Sequence, residues 1–212
     1  MEDQADQPEA GTETQEPVEL TTEALSGAAL QPVLPDLARL RMRVFHDWPY
    51  LYDGTLEYEQ DYLSTFAAAP GAVCIVARDG DKIVGASTGS PMVEADEEFQ
   101  APFVEAGYDL NEVFYCGESV LLPEYRGAGV GHAFFDGREE HARKLGGFKY
   151  STFCRVLRSE FHPLKPADYR PLDGFWTKRG YRPTDLEARY EWKDIDQKVE
   201  TVKHLQFWIK EL

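Results

Sequence analysis

The segment after residue 122 combines a proline, an arginine and three glycines in a spacing that could bind an anion. An apolar run ends at Leu122, Pro123 cannot donate to a strand ladder, and Arg126-x-x-Gly129-x-Gly131 then opens directly into a helical pattern. Glycines at the start of a helix let the backbone approach a ligand closely, and the unpaired N–H groups there attract negative charge. We therefore interpret this strand, glycine loop and helix as a cradle for a pyrophosphate.

Two other phosphate-binding motifs are excluded by residues of the same loop. A P-loop needs Lys followed by Ser or Thr after its last glycine, and His132 and Ala133 stand there instead. A dinucleotide-binding fingerprint needs a third glycine where the chain has His132, and an acidic residue about 20 residues further on, where it has Lys149. An ordinary structural turn would explain one glycine but not three.

Hydrophobic periodicity and turn residues predict the elements that must position this loop. Strands and helices alternate over 212 residues, one domain's length, which predicts an α/β (α+β) fold. In chain order we predict a strand at 18–25, helices at 35–48 and 55–69, a hairpin over 72–87, an irregular acidic loop over 89–112, a strand at 113–122, a helix ending at 145, a strand at 148–156, a short helix at 171–179 and two final alternating strands.

The net charge of −16 is distributed unevenly, since residues 1–24 hold eight acids and no base. Nucleic-acid binding needs a basic footprint, which the sequence lacks, and no apolar run approaches the ~20 residues of a membrane span. We therefore predict no nucleic acid and no membrane as partners, and a homodimer stays open. An acidic body suits a cationic partner, although acidity also serves solubility.

Three cysteines, at positions 74, 116 and 154, are odd in number and lie far apart. This spacing argues against a disulfide framework and a zinc site, so we predict no metal. The N-terminus lacks the basic and apolar regions of a secretory signal, and we expect a cytoplasmic protein. Cys154 and His162 would suggest a nucleophile and its base, but a buried strand cysteine beside a loop histidine is far more often structural.

The glycine loop resembles the signature of the GNAT superfamily of acyl-CoA N-acyltransferases. Residues 175–181, a short helix ending in Gly-aromatic, resemble the segment after that family's fifth strand, and the element order over 18–212 matches its fold. The resemblance implies a mixed central sheet of about six to seven strands, about four flanking helices and a splayed fourth and fifth strand pair. It also implies acetyl-CoA (coenzyme A) as co-substrate, a small-molecule or peptide amine as acceptor, and direct attack without a covalent enzyme intermediate.

The family's coenzyme A contacts carry over onto two stretches of this sequence. The end of the fourth strand pairs with pantetheine in the family, and the glycine loop binds the pyrophosphate. The implied contacts are Ser119, Val120 and Leu121 for pantetheine, and Arg126, Gly127, Ala128, Gly129, Val130, Gly131 and His132 for the pyrophosphate.

One position departs from the family pattern. Trp176 replaces the Tyr that commonly acts as general acid, and Trp cannot protonate a thiolate effectively. Either Tyr169 or His162 takes that role, or the thiolate leaves unassisted. Trp176 would then pack against pantetheine or belong to the core.

The carboxylate of Glu118 is our candidate for the general base, directly or through water. An acid among apolar strand residues is unexpected unless it faces a cleft. Pairing with an arginine or exposure to solvent is the alternative explanation. Tyr115 lies on the same predicted strand, where it lines the acceptor site or fills the core. Strand alternation places it opposite Glu118 unless a bulge intervenes.

Two other functions are compatible with the same residues. The missing Tyr favours a non-catalytic acyl-CoA-binding sensor, which would bind acetyl-CoA without releasing free thiol. A generic interaction domain would bind no coenzyme A at all. An acetyl-CoA-dependent N-acetyltransferase is the leading interpretation.

Residues 1–17 have the composition of a flexible acidic tail, which leaves 18–212 as the acyltransferase domain. The tail carries almost no large apolar group and contributes little burial. A truncation starting near Pro17 should therefore keep the melting temperature and the acetyl-CoA affinity of the full chain. Calorimetry checks both quantities, and a large loss of either would mean that the tail docks onto the domain.

Overall fold

The computed structural model describes residues 20–212, so the predicted tail and the first two residues of the predicted first strand lie outside it. The helices are α1 (Leu34–Phe45), α2 (Leu56–Ala68), α3 (Glu97–Glu105), α4 (Val130–Leu145) and α5 (Asp173–Lys178). The strands are β1 (Leu20–Leu25), β2 (Val73–Asp79), β3 (Lys82–Pro91), β4 (Val113–Tyr115), β5 (Ser119–Leu121), β6 (Tyr150–Val156), β7 (Arg182–Trp192) and β8 (Thr201–Glu211).

The strands form one mixed sheet in the order β1-β2-β3-β4-β6-β8-β7, and β5 also pairs with β3. Within residues 20–212 the pairing of β4 with β6 is parallel and every other pairing of these strands is antiparallel. The predicted α/β class and mixed sheet are confirmed. None of the helices described is both long and apolar enough to cross a membrane.

Alternating side chains divide the core between the two faces of the sheet. On β2, Ile75 packs in a cluster with Phe134 of α4, whereas the next residue, Val76, packs in a cluster with Leu37 of α1. A third cluster, around Phe103 of α3, lies on the same face as α1 and α2. Helices α4 and α5 therefore cover one face, and α1, α2 and α3 cover the other.

The interpretation of 89–112 as irregular was wrong in part, because this stretch contains α3. Glu97 and Glu98 lie in the first turn, where carboxylates stabilise the helix dipole, and Phe103 is fully buried. Acidic residues that suggested a loop thus belong to the first turn of a helix. The helix has only nine residues and contains Pro102, and both features weaken its hydrophobic periodicity in the sequence.

The predicted single strand at 113–122 is instead broken into β4 and β5. Gly117 N–H donates to the Thr88 carbonyl (3.1 Å) and Glu118 N–H to Thr88 Oγ1 (3.2 Å), which takes residues 116–118 out of the regular ladder. A β-carbon at Gly117 would lie 2.9 Å from Thr88 Oγ1, so this close approach requires glycine. We call residues 116–118 the strand break.

The sheet opens beyond the strand break. β4 pairs with β6 as far as Tyr115 and Thr152, and Cys116 N–H still donates to the Thr152 carbonyl at 2.8 Å. From there β5 pairs with β3, while β6, which pairs with β8 over its whole length, has no partner on its other edge among these strands. The predicted splayed strand pair is therefore present, formed by β5 and β6.

Candidate active site

Two glycines of the loop have backbone conformations that other residues rarely adopt. The angle φ is +86° at Gly127 and +83° at Gly129, the residue that precedes α4. A β-carbon at Gly131 would instead sit 3.4 Å from the Phe175 ring, so α5 packs directly against the start of α4. The first two glycines shape the loop, and the third allows this contact.

Backbone N–H groups accumulate at the start of α4. Those of residues 127–131 donate to no protein acceptor within the described part of the chain, whereas His132 N–H donates to the Gly129 carbonyl at 2.9 Å. The exposed Arg126 guanidinium lies beside them and donates to the Leu121 carbonyl at 3.4 Å. Five unpaired donors, a cation and a helix N-terminus suit an anion. Of the predicted loop contacts, His132 is the one whose N–H is already bonded.

β5 presents a second set of backbone groups toward the open splay. Leu122 N–H donates to the Val84 carbonyl at 3.0 Å, and the antiparallel register continues through Val120. Because alternate residues of an antiparallel strand bond to the neighbour, Ser119 and Leu121 turn their N–H and C=O groups away from β3. The backbone of Val120, also predicted to meet pantetheine, faces β3 instead.

A cleft of about 1050 Å³ reaches the strand break on the face of the sheet opposite α4. Tyr115, Gly117 and Glu118 all line it, so the break turns both candidate side chains into one cavity, as a bulge would. The residues of the glycine loop do not line it. Aromatic side chains form much of the wall, among them Phe45, Tyr50, Tyr62, Phe99, Tyr190 and Trp192.

Glu118 is both buried and ion-paired at this cleft. It is 7% exposed, its Oε1 lies 2.6 Å from Arg41 Nη1, and the Tyr62 hydroxyl donates to its Oε2 at 3.4 Å. Arg41 Nε also donates to the fully buried Glu59 at 2.5 Å. Two carboxylates therefore share one guanidinium. Glu118 lines a cleft and also pairs with an arginine, so the two explanations given for its place on the strand are both met. We call Glu59, Arg41 and Glu118 the buried triad.

The guanidinium of the buried triad stays charged. Burial alone would lower the pKa of Arg41, but Glu118, Tyr62 and Glu59 together raise it well above its ordinary value. The guanidinium carbon also lies 4.3 Å from the centre of the Tyr62 ring. Helices α1 and α2 are thereby joined to the strand break by charge as well as by apolar packing.

The sequence model of the acetyltransferase (GNAT) family matches residues 36–161, more than half of the chain. The chain belongs to the GNAT acetyltransferase family. The matched range includes all but the first two residues of α1, the strand break and the glycine loop. Among curated proteins nothing matches the sequence.

Solved acetyltransferase structures share the GNAT fold with this chain at low identity. One from Thermus thermophilus is 16% identical, with a TM-score of 0.53 and 91% of this chain and 97% of that chain covered. A ribosomal-protein-alanine N-acetyltransferase from Brucella melitensis is 15% identical (TM-score 0.58; 91% and 99% covered). Salmonella typhimurium yncA, whose structure holds its cofactor acetyl-CoA, is 11% identical (TM-score 0.56; 92% and 94%). These likenesses establish the fold alone.

Cys154 of this GNAT chain is a poor nucleophile. Burial raises the pKa of its thiol to about 12, so the thiol is protonated at neutral pH. It lies 3.5 Å from the Tyr115 hydroxyl, and both residues line the cleft. Burial likewise raises the pKa of Tyr115 well above its ordinary value, so its hydroxyl keeps its proton.

The other residues considered for catalysis in this GNAT chain lie outside the cleft. His162 and Tyr169 pack against Trp48, with ring centres 5.3 Å and 5.9 Å from it, and neither lines the cleft. The Trp176 ring packs 5.0 Å from Phe153, on the face covered by α4, and is half-buried. Trp176 therefore contributes to the core of that face.

Three residues of the site were not identified as functional from the sequence. In the sequence, Arg41 and Tyr62 fit the periodic patterns of two predicted helices, and Glu59 is one of several acidic residues of the second helix. A charged residue on an otherwise apolar helix stripe, as at Arg41, was the one available signal. Its partners cannot be read from local spacing.

Proposed function

We propose that this chain transfers an acetyl group from acetyl-CoA to a primary amine by direct attack in a ternary complex. The observation that carries the proposal is the strand break. On one side of it lie the glycine loop and the open edge of β5, and on the other lies a cleft into which Glu118 projects. A donor and an acceptor could thus meet at one point from opposite faces of the sheet.

The chain's own backbone groups fit coenzyme A. The unpaired N–H groups of residues 127–131 and the Arg126 guanidinium would hold the pyrophosphate. The outward-facing backbone groups of Ser119 and Leu121 would pair with the amides of pantetheine. Bound acetyl-CoA supplies the acyl thioester, and these contacts position it.

Glu118 is the general base of this proposal. An aliphatic ammonium must lose a proton before its nitrogen can attack. A carboxylate has about four lone-pair sites, so pairing with Arg41 and accepting from Tyr62 leave others for a proton. The same two contacts hold the Glu118 side chain in one orientation at the strand break.

The cleft suits a cationic acceptor. Seven of its lining residues are Asp or Glu and four are Lys or Arg, so the cavity carries an excess of negative charge. Aromatic walls add favourable contact with an ammonium. A small-molecule amine or the amine of a peptide would fit a cavity of about 1050 Å³.

Protonated hydroxyls are available in the cleft for the leaving thiolate. Burial raises the pKa of Tyr50, Tyr62 and Tyr115, so all three keep their protons at neutral pH. Tyr50 and Tyr115 line the cleft and would donate a hydrogen bond to the thiolate in place of His162 and Tyr169, whereas the Tyr62 hydroxyl already donates to Glu118. The proton of the free thiol would then come from solvent.

An acyl-CoA sensor remains the second candidate function. The ion pair of Glu118 with Arg41 favours it, because a carboxylate retained only for packing would make the same contact. Turnover separates the two functions. A screen of primary amines with acetyl-CoA, monitored by release of free thiol, should give an active amine, whereas a sensor would bind acetyl-CoA and release thiol with none.

Replacing Gly129 with Val should weaken acetyl-CoA binding by about 1–3 kcal/mol, or roughly 5- to 150-fold in Kd. Valine disfavours φ near +83° and would turn the N–H groups of the loop away from the pyrophosphate. Titration calorimetry measures the change.

Gly107→Val is the matched control for the Gly129 variant. Gly107 has φ of +80°, and a β-carbon there, as at Gly129, would meet no atom within 4 Å. It carries the same backbone strain at the end of α3, away from the loop. Equal affinities in folded Gly129→Val and Gly107→Val proteins would refute the assignment of the loop.

A further inference from the structure

Arg138, on α4, is a buried cation without an anionic partner. It is 1% exposed, and within residues 20–212 no carboxylate oxygen lies within 4.0 Å of its guanidinium. The next residue, Glu139, is buried too but pairs with Arg143, Arg179 and Lys210. Burying an unpaired guanidinium is costly, so packing alone gives no reason for Arg138.

The Arg138 side chain ends at the strand break. Its Nη1 donates to the Glu118 carbonyl at 3.1 Å and to the Thr88 carbonyl at 3.4 Å, and its Nε donates to the Phe134 carbonyl of its own helix. One guanidinium therefore joins α4, β3 and the strand break. It reaches the break from the face opposite the cleft.

The two carbonyls do not need Arg138 for hydrogen bonding. Glu118 C=O already accepts from Thr88 N–H at 3.0 Å, and Thr88 C=O accepts from Gly117 N–H at 3.1 Å. Removing the guanidinium would leave neither oxygen unsatisfied. Arg138 adds a second, charge-assisted bond to each, which stiffens an irregular stretch of backbone that has few ladder bonds.

We propose that Arg138 is a positioning residue that fixes the strand break and, through it, the direction in which the Glu118 side chain enters the cleft. The expected effect of Arg138 on catalysis rests on the acetyltransferase function proposed above. The expected effect of Arg138 on the backbone of the strand break is independent of that function. Because α4 begins at the glycine loop, the same helix that carries the pyrophosphate site also carries the residue that holds the break.

Hydrogen exchange of the free protein tests the positioning role without turnover. In Arg138→Met, exchange of the Thr88, Gly117 and Glu118 amides should become ~10-fold faster or more. The melting temperature should stay the same or rise, since an unpaired buried charge is removed. The control is Arg143→Met, the same change at an exposed site on the same helix, which should alter neither the exchange at the break nor the rate.

Kinetics then separates positioning from packing. In Arg138→Met, kcat should fall about 10²-fold, as expected for a small displacement of a catalytic group. Acetyl-CoA affinity should hold, because the glycine loop is untouched. Arg138→Lys keeps the charge but has no Nε–H to bond the Phe134 carbonyl and no planar guanidinium, so its kcat should lie between those of Met and the parent.

Each outcome bears on a different statement. Unchanged exchange at the break, or faster exchange throughout with a large drop in melting temperature, would overturn the positioning role. Faster local exchange with an unchanged kcat would also overturn it. If the parent turns over no amine while exchange at the break quickens in Arg138→Met, the proposed acetyltransferase function fails and the positioning of the backbone stands.

Discussion

Replacing Glu118 with Gln should lower the rate at saturating amine by ~10²–10⁴-fold. Gln keeps the size of the side chain and its hydrogen bonding but cannot accept the proton of the ammonium. Arg41 keeps Glu59 as a partner, so the variant should fold. Affinity for acetyl-CoA should hardly change, because the glycine loop is a separate structure. Steady-state kinetics and titration calorimetry measure the two quantities.

The pH dependence distinguishes the loss of a base from a general disturbance of the site. With Glu118→Gln the reaction would depend on amine that is already neutral, so the rate should follow the amine's own titration. Glu98→Gln is the control, since Glu98 also lines the cleft but is exposed on α3. If Glu118→Gln turns over like the parent across neutral and mildly alkaline pH, the base lies elsewhere.

The glycine loop could be predicted from the sequence because its chemistry is local. A turn needing positive φ at Gly127 and Gly129, followed at once by a helix, is encoded by adjacent residues. The strand at Tyr150–Val156 and the hairpin of β2 and β3 were predictable for the same reason, since alternation and turn residues act over a few positions. Those strands belong to the sheet that positions the glycine loop.

The strand break and the buried triad could not be predicted because they depend on distant partners. The break forms where Thr88 of β3 meets Gly117, and Arg41 meets Glu118 only once α1 lies on the sheet. The face of α4 shows the same limit. Helical spacing puts Leu145 on one face with Val130 and Phe134, which are buried, but Leu145 is exposed. The polar Arg138 is buried, and its guanidinium donates to carbonyls at the strand break.

The buried triad makes a strong prediction for stability. Replacing Arg41 with Met should lower the free energy of unfolding by about 3–5 kcal/mol at neutral pH, because Glu59 and Glu118 would be left buried without a cation. Urea unfolding measures the change. Arg39→Met is the control on the same helix: its pair with Asp36 is exposed and should contribute about 0–1 kcal/mol.

The cause of that loss can be isolated with a triple variant. Adding Glu59→Gln and Glu118→Gln to Arg41→Met removes the unpaired charges but keeps the side-chain volumes, so most of the stability should return. If Arg41→Met loses no more stability than Arg39→Met, the guanidinium does not hold α1 and α2 to the strand break. The orientation of Glu118 would then depend on the backbone alone.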